Sequence, residues 1–438
     1  IIILKIPEAG TSSCFLCRIA EQTKPATSKM IQFEVQLMHG SDARPAQQKK
    51  LSGHGRKRSV RRKRVDYYDY SLLAVIILLT CFGLIMLYST SSYMAEVKYG
   101  DDMYFFKKQA LISAVCIVAA VVISKIDYHI LGRFTTILYV SALFLMALVK
   151  ITPLGQEVNG ARRWLKLGIQ FQPAEIAKIA VIVCLPYMII NMGRQVKTLK
   201  GCMRLAGSGG LLAAGAYILT ENLSTAIIIF GITAGLIFMA HPNTKLFLSI
   251  VAVGVVLVAG IVIFLYLTVD PETNENFRIG RILVWLRPEE FADGMGYQTL
   301  QALYAIGSGG LLGRGLGNSI QKLGSVPEAQ NDMIFSIVCE ELGIAGGVML
   351  LLMFAYLLYR LFFIAQNASD LLGSLMVTGI FIHIALQVIF NVAVVLNLMP
   401  NTGVTLPFIS YGGTSIMFLM AEMGLALSVA RQIKFQDM

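Results

Sequence analysis

Long apolar runs constrain this chain more than any other feature of its sequence. Of its residues, 56% are hydrophobic and only 14% are charged, whereas a soluble protein carries about 25% charged residues. A helix needs about 17–25 apolar residues to cross a bilayer. Runs of this kind predict ten spans, at residues 70–90, 108–124, 133–150, 174–192, 205–220, 223–240, 246–267, 333–359, 371–397 and 411–430.

These runs predict an all-α polytopic membrane protein. We expect about ten transmembrane helices, with a large outward loop between the seventh and the eighth. The sequence lacks the alternating ten-residue segments that are typical of a membrane barrel. The weakest boundary lies between the fifth and sixth spans, which only Thr220-Glu221-Asn222 separates.

Positive charge is concentrated just before the first span. Residues 44–64 contain ten Lys and Arg residues and no acid. Such a block stays on the cytoplasmic side and meets anionic lipid headgroups. A basic run is also compatible with nucleic acid, but the adjacent membrane helix favours the lipid, so we predict no nucleic-acid partner. We expect a disordered basic cytoplasmic tail at 1–67, a membrane domain at 68–434, both termini inside, and outward loops at 151–173, 268–332 and 398–410.

Asp332 is the first candidate for chemistry. It lies where a polar segment meets the apolar run that starts at Met333, and a carboxylate at the edge of a membrane helix is costly to bury. Helical spacing places Ser336, Cys339 and Glu340 on the same face. The alternative is an ordinary N-terminal helix cap, and spacing alone does not separate the two interpretations.

The segment 151–173 offers an anion site. Arg162, Arg163 and Lys166 are three cations in a segment predicted to face outward, against the usual inward bias of positive charge. Arg matches the paired oxygens of a phosphate. Contacts with lipid headgroups are the alternative. Nearby, Glu175 and Lys178 are spaced for a structural ion pair at the start of the next helix.

Two further segments are irregular. Residues 307–317 hold six glycines but neither a Walker nor a Rossmann pattern, so we expect a tight element with close backbone contacts rather than a nucleotide site. Residues 399–415 contain prolines and glycines that preclude a regular helix, and we expect them to line a cavity. The preceding span carries a stripe that interhelical hydrogen bonding explains: His383, Gln387 and Asn391. Seven cysteines show no spacing for a disulfide framework or a metal site.

Four motifs in order resemble the SEDS family, FtsW/RodA/SpoVE. They are Asn-Gly-Ala-Arg-Arg-Trp (159–164), Gln-Pro-Ala-Glu-Ile-Ala-Lys (172–178), Pro-Glu-Ala-Gln-Asn-Asp-Met-Ile-Phe (327–335) with Glu-Glu-Leu-Gly (340–343), and Thr-Gly-Val-Thr-Leu-Pro-Phe-Ile-Ser-Tyr-Gly-Gly (402–413). The resemblance covers roughly residues 68–434, and Thr405 favours the FtsW/SpoVE branch. Residues 221–225 depart from the family's usual Pro-Asp-Leu-Gly-Thr, so they receive no role.

The resemblance implies a peptidoglycan glycosyltransferase that polymerises lipid II at the outer face of the bacterial cytoplasmic membrane. Asp332 would be the general base, and Arg163, helped by Arg162 or Lys166, would stabilise the leaving diphosphate. The remaining substrate contacts that it suggests are Glu328, Ser410, Gly412 and Gly413. A lipid II flippase and a non-enzymatic division scaffold are the alternative functions.

The resemblance also implies partners. These are a class B penicillin-binding transpeptidase and other division proteins. No cofactor is required by the sequence, although a divalent cation, Mg²⁺ or Mn²⁺, is compatible with the diphosphate. Because the glycines before Asp332 suggest a mobile loop, we expect the transpeptidase to raise the polymerisation rate by favouring one loop conformation.

Overall fold

Helices dominate the architecture. The computed structural model describes residues 68–158, 161–167, 169–241, 244–268, 277–294, 296–323, 326–327 and 329–434. Within these residues the α-helices are α1 (Tyr70–Tyr99), α2 (Tyr104–Ile123), α3 (Thr135–Ile151), α4 (Pro173–Met192), α5 (Leu199–Thr220), α6 (Leu223–Ala240), α7 (Thr244–Thr268), α8 (Phe277–Leu286), α9 (Tyr297–Gly309), α10 (Ile334–Asn367), α11 (Leu371–Val395) and α12 (Gly413–Arg431). The basic tail predicted at 1–67 lies outside the described residues.

The predicted spans coincide with these helices. Among the described residues, nine helices are long and apolar enough to cross a membrane, and the seventh predicted span corresponds to α7, whose apolar stretch Val251–Phe264 is shorter. The boundary predicted between the fifth and sixth spans, the weakest one in the sequence, is confirmed. Glu221 adopts a left-handed conformation with φ of 48° after α5, and the Asn222 side chain caps α6 by accepting from the Thr225 N–H at 3.1 Å.

The segment after α3 is a small sheet, which the sequence analysis did not predict. Strands β1 (Gly155–Val158), β2 (Ala161–Leu167) and β3 (Ile169–Phe171) pair antiparallel in that order. The pairing of β1 with β2 shifts register so that Gln156 faces Trp164 and Glu157 faces Arg162. Arg163 therefore lies at a bulge, a feature that re-aims side chains next to functional sites.

Helix α10 is broken at Gly343, where φ is 70° and ψ is −173°. The glycine-rich segment fills the break, because the backbone groups that lose their helical partners bond to it. The N–H of Ile344 donates to the Gly310 carbonyl at 2.9 Å, and the N–H groups of Arg314 and Gly315 donate to the carbonyls of residues 340 and 341 at 3.0 and 2.9 Å. A Cβ on Gly343 would collide with the backbone of Gly313 and Leu311.

The predicted outward loop at 268–332 is thus more than a loop. It contains α8 and α9. Its glycine-rich segment, residues 307–317, packs against the break in α10 at Gly343, which at 1.5 Å per residue lies roughly 14 Å from the first residue of that helix. The expectation of a tight element with close backbone contacts is confirmed. The expectation of a mobile glycine loop stays a prediction, and the backbone bonds between residues 310–315 and α10 argue against mobility there.

Around these elements the helices bury a shared apolar core. Helix α4 packs against α3, α5, α6 and α11, while α12 packs mainly against α2. The segments that join α3 to α4, α5 to α6 and α11 to α12 lie at the same end of the bundle as the start of α10. Charged residues that are distant in sequence meet at this end.

Candidate functional site

Asp332 lies in the turn before α10. The helix begins at Ile334, and its N-cap residue is Met333, with no side-chain capping bond. The capping interpretation of Asp332 is therefore wrong. The Asn391 side chain holds the backbone carbonyl of Asp332 at 2.7 Å. A Cβ placed on Gly403 would lie 3.9 Å from the Asp332 Oδ2 atom, so the carboxylate faces the segment between α11 and α12.

Of the three cations of β2, Arg163 is the one that points toward the end of the helix bundle where α10 begins. It is half-buried, whereas Arg162 and Lys166 are exposed. Its Nη2 approaches the Glu221 carbonyl oxygen at 3.4 Å, and its buried Nε atom makes no hydrogen bond to the described residues. The structure thus separates three cations that the sequence analysis grouped together, and Arg163 retains donor capacity for a ligand.

Arg281 of α8 completes the charged group. Its Nη1 approaches the Asn401 carbonyl oxygen at 3.4 Å, and its positive charge attracts the carboxylate of Asp332. Burial lowers the pKa of the Arg163 guanidinium, the nearby charge of Arg281 lowers it further, and Glu221 opposes both. Burial also lowers the pKa of Arg281, against the attraction of Asp332. Two neighbouring guanidiniums, one of which interacts with the Asp332 carboxylate, favour an anionic ligand with paired oxygens.

The segment between α11 and α12 lines this group with backbone. No regular element occurs in residues 398–412, as the prolines and glycines predict. The Asn401 side chain donates to Gln298 of α9 at 2.9 Å and accepts from the Gly403 N–H at 3.1 Å. Gly403 has φ of 66°, a left-handed conformation. The Tyr411 N–H donates to the Gln330 carbonyl at 2.9 Å, which joins the segment to the approach to Asp332.

The other predicted contact residues differ in their surroundings. The Ser410 hydroxyl accepts from the Leu406 N–H at 2.8 Å and closes a turn. Gly412 and Gly413 form the start of α12, where a Cβ on Gly413 would crowd Ile112 of α2. Glu328 lies outside the described residues. The substrate contacts predicted for these four positions stay predictions.

Glu175 and Lys178 form an ion pair at the start of α4. The Glu175 Oε1 and Lys178 Nζ atoms are 2.9 Å apart, and both side chains are almost fully buried. Burial at this depth requires such compensation. The structure therefore brings the pair together in the way its spacing predicts.

Glu340 and Glu341 belong to a second cluster, separate from Asp332. Glu341 accepts from Ser89 of α1 at 2.6 Å and from Lys322 Nζ at 2.8 Å. Glu340 accepts from Ser319 and, at 3.0 Å, from the Ile320 N–H. Grouping Asp332 with Glu340 on one helix face was wrong as a site, because the glycine-rich segment covers Glu340.

The donor set at Asp332 does not suit a divalent cation. Hard cations take several oxygen ligands, but Asp332 faces a guanidinium. No cluster of three His, Cys, Asp or Glu residues that could hold a metal occurs in the part of the chain that the structure describes.

Sequence reasoning missed three members of the site. Arg281 stood unassigned among the arginines of segment 268–332, Glu221 was set aside because it departs from a motif, and Asn391 was assigned to interhelical bonding. The polar stripe of the eleventh helix was the one signal that pointed here, but the residues that it bonds depend on tertiary packing.

The chain matches known proteins over nearly all of this domain. The family model of the FtsW, RodA and SpoVE cell cycle proteins matches residues 69–435. Stage V sporulation protein E of Bacillus subtilis (strain 168) is 36% identical over 369 residues, which cover 84% of this chain and 98% of the relative. A probable peptidoglycan glycosyltransferase FtsW of Trichlorobacter lovleyi is 35% identical over 85% of this chain and 95% of its own.

Solved structures agree with the relatives. A chain from a structure described as showing how a peptidoglycan synthase complex coordinates polymerization and crosslinking aligns with a TM-score of 0.68 and 27% identity, covering 84% of this chain and 99% of that chain. The rod shape determining protein RodA of Thermus thermophilus aligns with a TM-score of 0.58 and 27% identity, covering 84% and 98%. The sporulation and FtsW relatives agree with the branch that Thr405 indicates. This multi-pass membrane protein belongs to the FtsW, RodA and SpoVE family of cell cycle proteins.

Proposed function

We propose that the chain is a peptidoglycan glycosyltransferase that polymerises lipid II, with Asp332 as its general base. One observation carries the assignment of roles. The carboxylate of Asp332 interacts with the guanidinium of Arg281 on α8, and the guanidinium of Arg163 on β2 is in turn a neighbour of Arg281. A base beside an anion-binding pair is what the transfer of a sugar from a lipid diphosphate requires.

These residues account for the proton and the leaving group of the reaction. The C4 hydroxyl of the acceptor sugar attacks C1 of the donor sugar, and Asp332 takes the hydroxyl proton. The bond between C1 and the diphosphate oxygen breaks as the β-1,4 bond forms, with inversion at C1. The electron pair stays on the lipid diphosphate, and Arg163 and Arg281 stabilise the charge that develops there.

Contacts of 3.4 Å at both arginines are long for hydrogen bonds. Catalytic contacts in a ligand-free protein often tighten only when the substrate binds. The diphosphate would supply the acceptors that the Arg163 Nε atom needs. A divalent cation bound by the diphosphate is a secondary proposal, and titration of the polymerisation assay with a chelator tests it.

The site end of the bundle faces the outside of the cell in this proposal. The basic block at 44–64 favours a cytoplasmic start, and ten crossings return the carboxyl terminus to the same side. Cysteine labelling near residue 285 in intact cells tests the orientation. Reaction with a membrane-impermeant reagent supports it, whereas protection in a folded, expressed variant contradicts it.

A class B penicillin-binding transpeptidase is the proposed partner. Support comes from the likeness to a chain of a synthase complex that combines polymerization and crosslinking. Since the glycine-rich segment is bonded into α10, activation cannot rest on ordering that segment. A partner that moves α8 or the 398–412 segment would instead bring Arg281 and Asp332 into the productive arrangement. Titrating the transpeptidase into a lipid II assay should raise the rate, and full activity alone, unchanged by the partner, contradicts activation.

The decisive test replaces Asp332 with Asn. The amide keeps the size but hardly accepts a proton, and general-base catalysis contributes about 10²–10⁴-fold. Glycan product and released lipid diphosphate are measured with purified protein and lipid II. Asp293→Asn is the matched control, because Asp293 is exposed in the same segment. Loss of polymerisation in Asp332→Asn alone supports the proposal, and normal polymerisation refutes it. A flippase or a scaffold would keep transport or recruitment in the same variant.

A further inference from the structure

The polar stripe of α11 reaches the site. His383, Gln387 and Asn391 occur at successive turns and are almost fully buried, with exposed fractions of 1%, 2% and 1%. His383 pairs with Glu422 of α12 at 2.8 Å. The two amides instead bond to irregular backbone: Gln387 donates to the Thr405 carbonyl at 3.0 Å, and Asn391 lies one turn closer to Asp332.

Asn391 connects two segments with one nitrogen. Its Nδ2 donates to the Asp332 carbonyl at 2.7 Å and to the Val404 carbonyl at 2.8 Å. Both partners are carbonyl oxygens, which can only accept, so the amide must present its NH₂ group to them. The orientation of the side chain is therefore fixed by chemistry.

Few residue types can replace this contact. An asparagine amide carries two hydrogens on one nitrogen, whereas a hydroxyl carries one and an ionised carboxylate carries none. A leucine fills a similar volume but would leave both buried carbonyls without this donor. The Asn391 position thus demands two donors, which interhelical packing alone would not.

The two segments that Asn391 joins set the relative positions of the groups at the site. Asp332 carries the proposed base. The other segment includes Gly403, which faces the Asp332 carboxylate, and Asn401, whose carbonyl lies 3.4 Å from Arg281. Fixing the Asp332 backbone to Val404 therefore fixes the carboxylate relative to Arg281 and Gly403.

We propose that Asn391 is a positioning residue for the glycosyl transfer. It acts through Asp332, lies buried behind it and touches no substrate. The inference rests on the proposed role of Asp332. Misplacing a catalytic group by about 1 Å costs on the order of 10²-fold in rate. Because Arg163 contacts the Glu221 carbonyl and not the segment that Asn391 holds, diphosphate binding should be largely kept, and the loss should fall mainly on kcat and leave KM nearly unchanged.

The experiment compares four variants in purified form with lipid II. Asn391→Leu removes both donors, Asn391→Gln keeps them on a longer side chain, and Gln387→Leu releases only the Thr405 contact. Thr378→Val is the matched control on the same helix, because among the described residues the Thr378 hydroxyl bonds only within its own helix, to the Ser374 carbonyl 2.7 Å away. kcat is normalised to the folded fraction from thermal unfolding.

We expect kcat to fall by about 10–100-fold in Asn391→Leu, with KM changed by less than about threefold. Asn391→Gln should recover part of the rate, Gln387→Leu should lose less, and Thr378→Val should match the parent. Any of three results would overturn the inference: normal kcat in Asn391→Leu, a rise in its KM at constant kcat, or failure of both Asn391 variants to fold. Activity in Asp332→Asn would refute the proposed function first, whereas an inactive Asp332→Asn with a normal Asn391→Leu refutes only the positioning role.

Discussion

Two acidic clusters lie at α10, one inside the helix and one just before it, and they differ in how their carboxylates are satisfied. Glu340 and Glu341 lie inside the helix and are fully buried, with 0% of each side chain exposed. Asp332 precedes the helix and is half-buried. Both clusters would count as functional on the simple ground that charge in a membrane span is costly.

Their contacts distinguish them. In the inner cluster, Glu341, Lys322 and Ser89 bond to one another at 2.6–2.9 Å. At Asp332 the neighbouring arginines contact backbone oxygens at 3.4 Å, the distance at which a hydrogen bond is weak. The inner cluster is complete without a ligand, whereas at the outer cluster the buried Arg163 Nε atom has no hydrogen-bond partner among the described residues. Partners, more than burial, therefore distinguish the structural cluster from the one that we propose to be catalytic.

The largest expected effect concerns the inner cluster. Glu341→Gln leaves Lys322 buried beside a neutral amide, and breaking a buried pair costs about 3–5 kcal/mol. We expect a large fall in thermal stability, measured by unfolding of the purified protein in detergent. Folded Glu341→Gln should still polymerise lipid II, because the change does not touch Asp332.

The double variant Lys322→Met with Glu341→Met sharpens this prediction. Replacing both members of a buried pair with apolar residues of similar volume is often nearly neutral. The double variant should therefore be more stable than Glu341→Gln. A parental melting temperature in Glu341→Gln would show that the cluster does not hold α1, α10 and the glycine-rich segment together.

A smaller effect is expected at the outer cluster from Arg163. Arg163→Ala removes charge-assisted bonds worth about 1.5–3 kcal/mol, so kcat/KM should fall by about 10–100-fold. Arg163→Lys keeps the charge but loses the paired N–H donors of the guanidinium, so its kcat/KM should fall less. Lys166→Ala is the control, since Lys166 is exposed on the same strand. Equal activity in all three variants would break the anion-site assignment.

The smallest effect is expected at Gly403. Its φ of 66° is unfavourable for any residue with a Cβ, and the strain costs about 1–3 kcal/mol. The nearest atom to a Cβ is Asp332 Oδ2 at 3.9 Å, so no collision adds to this cost. Gly403→Ala should lower stability slightly and reduce kcat through the displaced segment, as unfolding and steady-state kinetics will show. A gain in either quantity would contradict the conformation assigned to this residue.

Sequence reasoning reached the fold because apolar runs report membrane spans directly. It singled out Asp332 and Arg163 as candidates for a related reason, since charges at the ends of spans are costly and therefore conspicuous. It did not reach Arg281 or Lys322, because a single cation in a long polar segment looks exposed until packing shows what covers it. The bulge at Arg163 was equally hidden, since a register shift depends on how two short strands pair.

The glycine-rich segment shows the same limit of sequence reasoning. Its glycines predicted close backbone contact, which is correct, and they also suggested mobility, which the backbone bonds of residues 310–315 to α10 argue against. The partner of these glycines is the break at Gly343, in a helix that looked continuous in sequence. Composition indicates what a backbone can do, but only the tertiary structure shows which neighbour uses that freedom.

One paired measurement tests the central claim that the acidic cluster just before α10 is catalytic and the one inside α10 is structural. Lipid II polymerisation per folded molecule and melting temperature are measured for Asp332→Asn and Glu341→Gln side by side. The account predicts that Asp332→Asn loses about 10²–10⁴-fold in rate and keeps its melting temperature, while Glu341→Gln loses stability and keeps its rate. Loss of rate in Glu341→Gln at full stability, or normal polymerisation by Asp332→Asn, would contradict it.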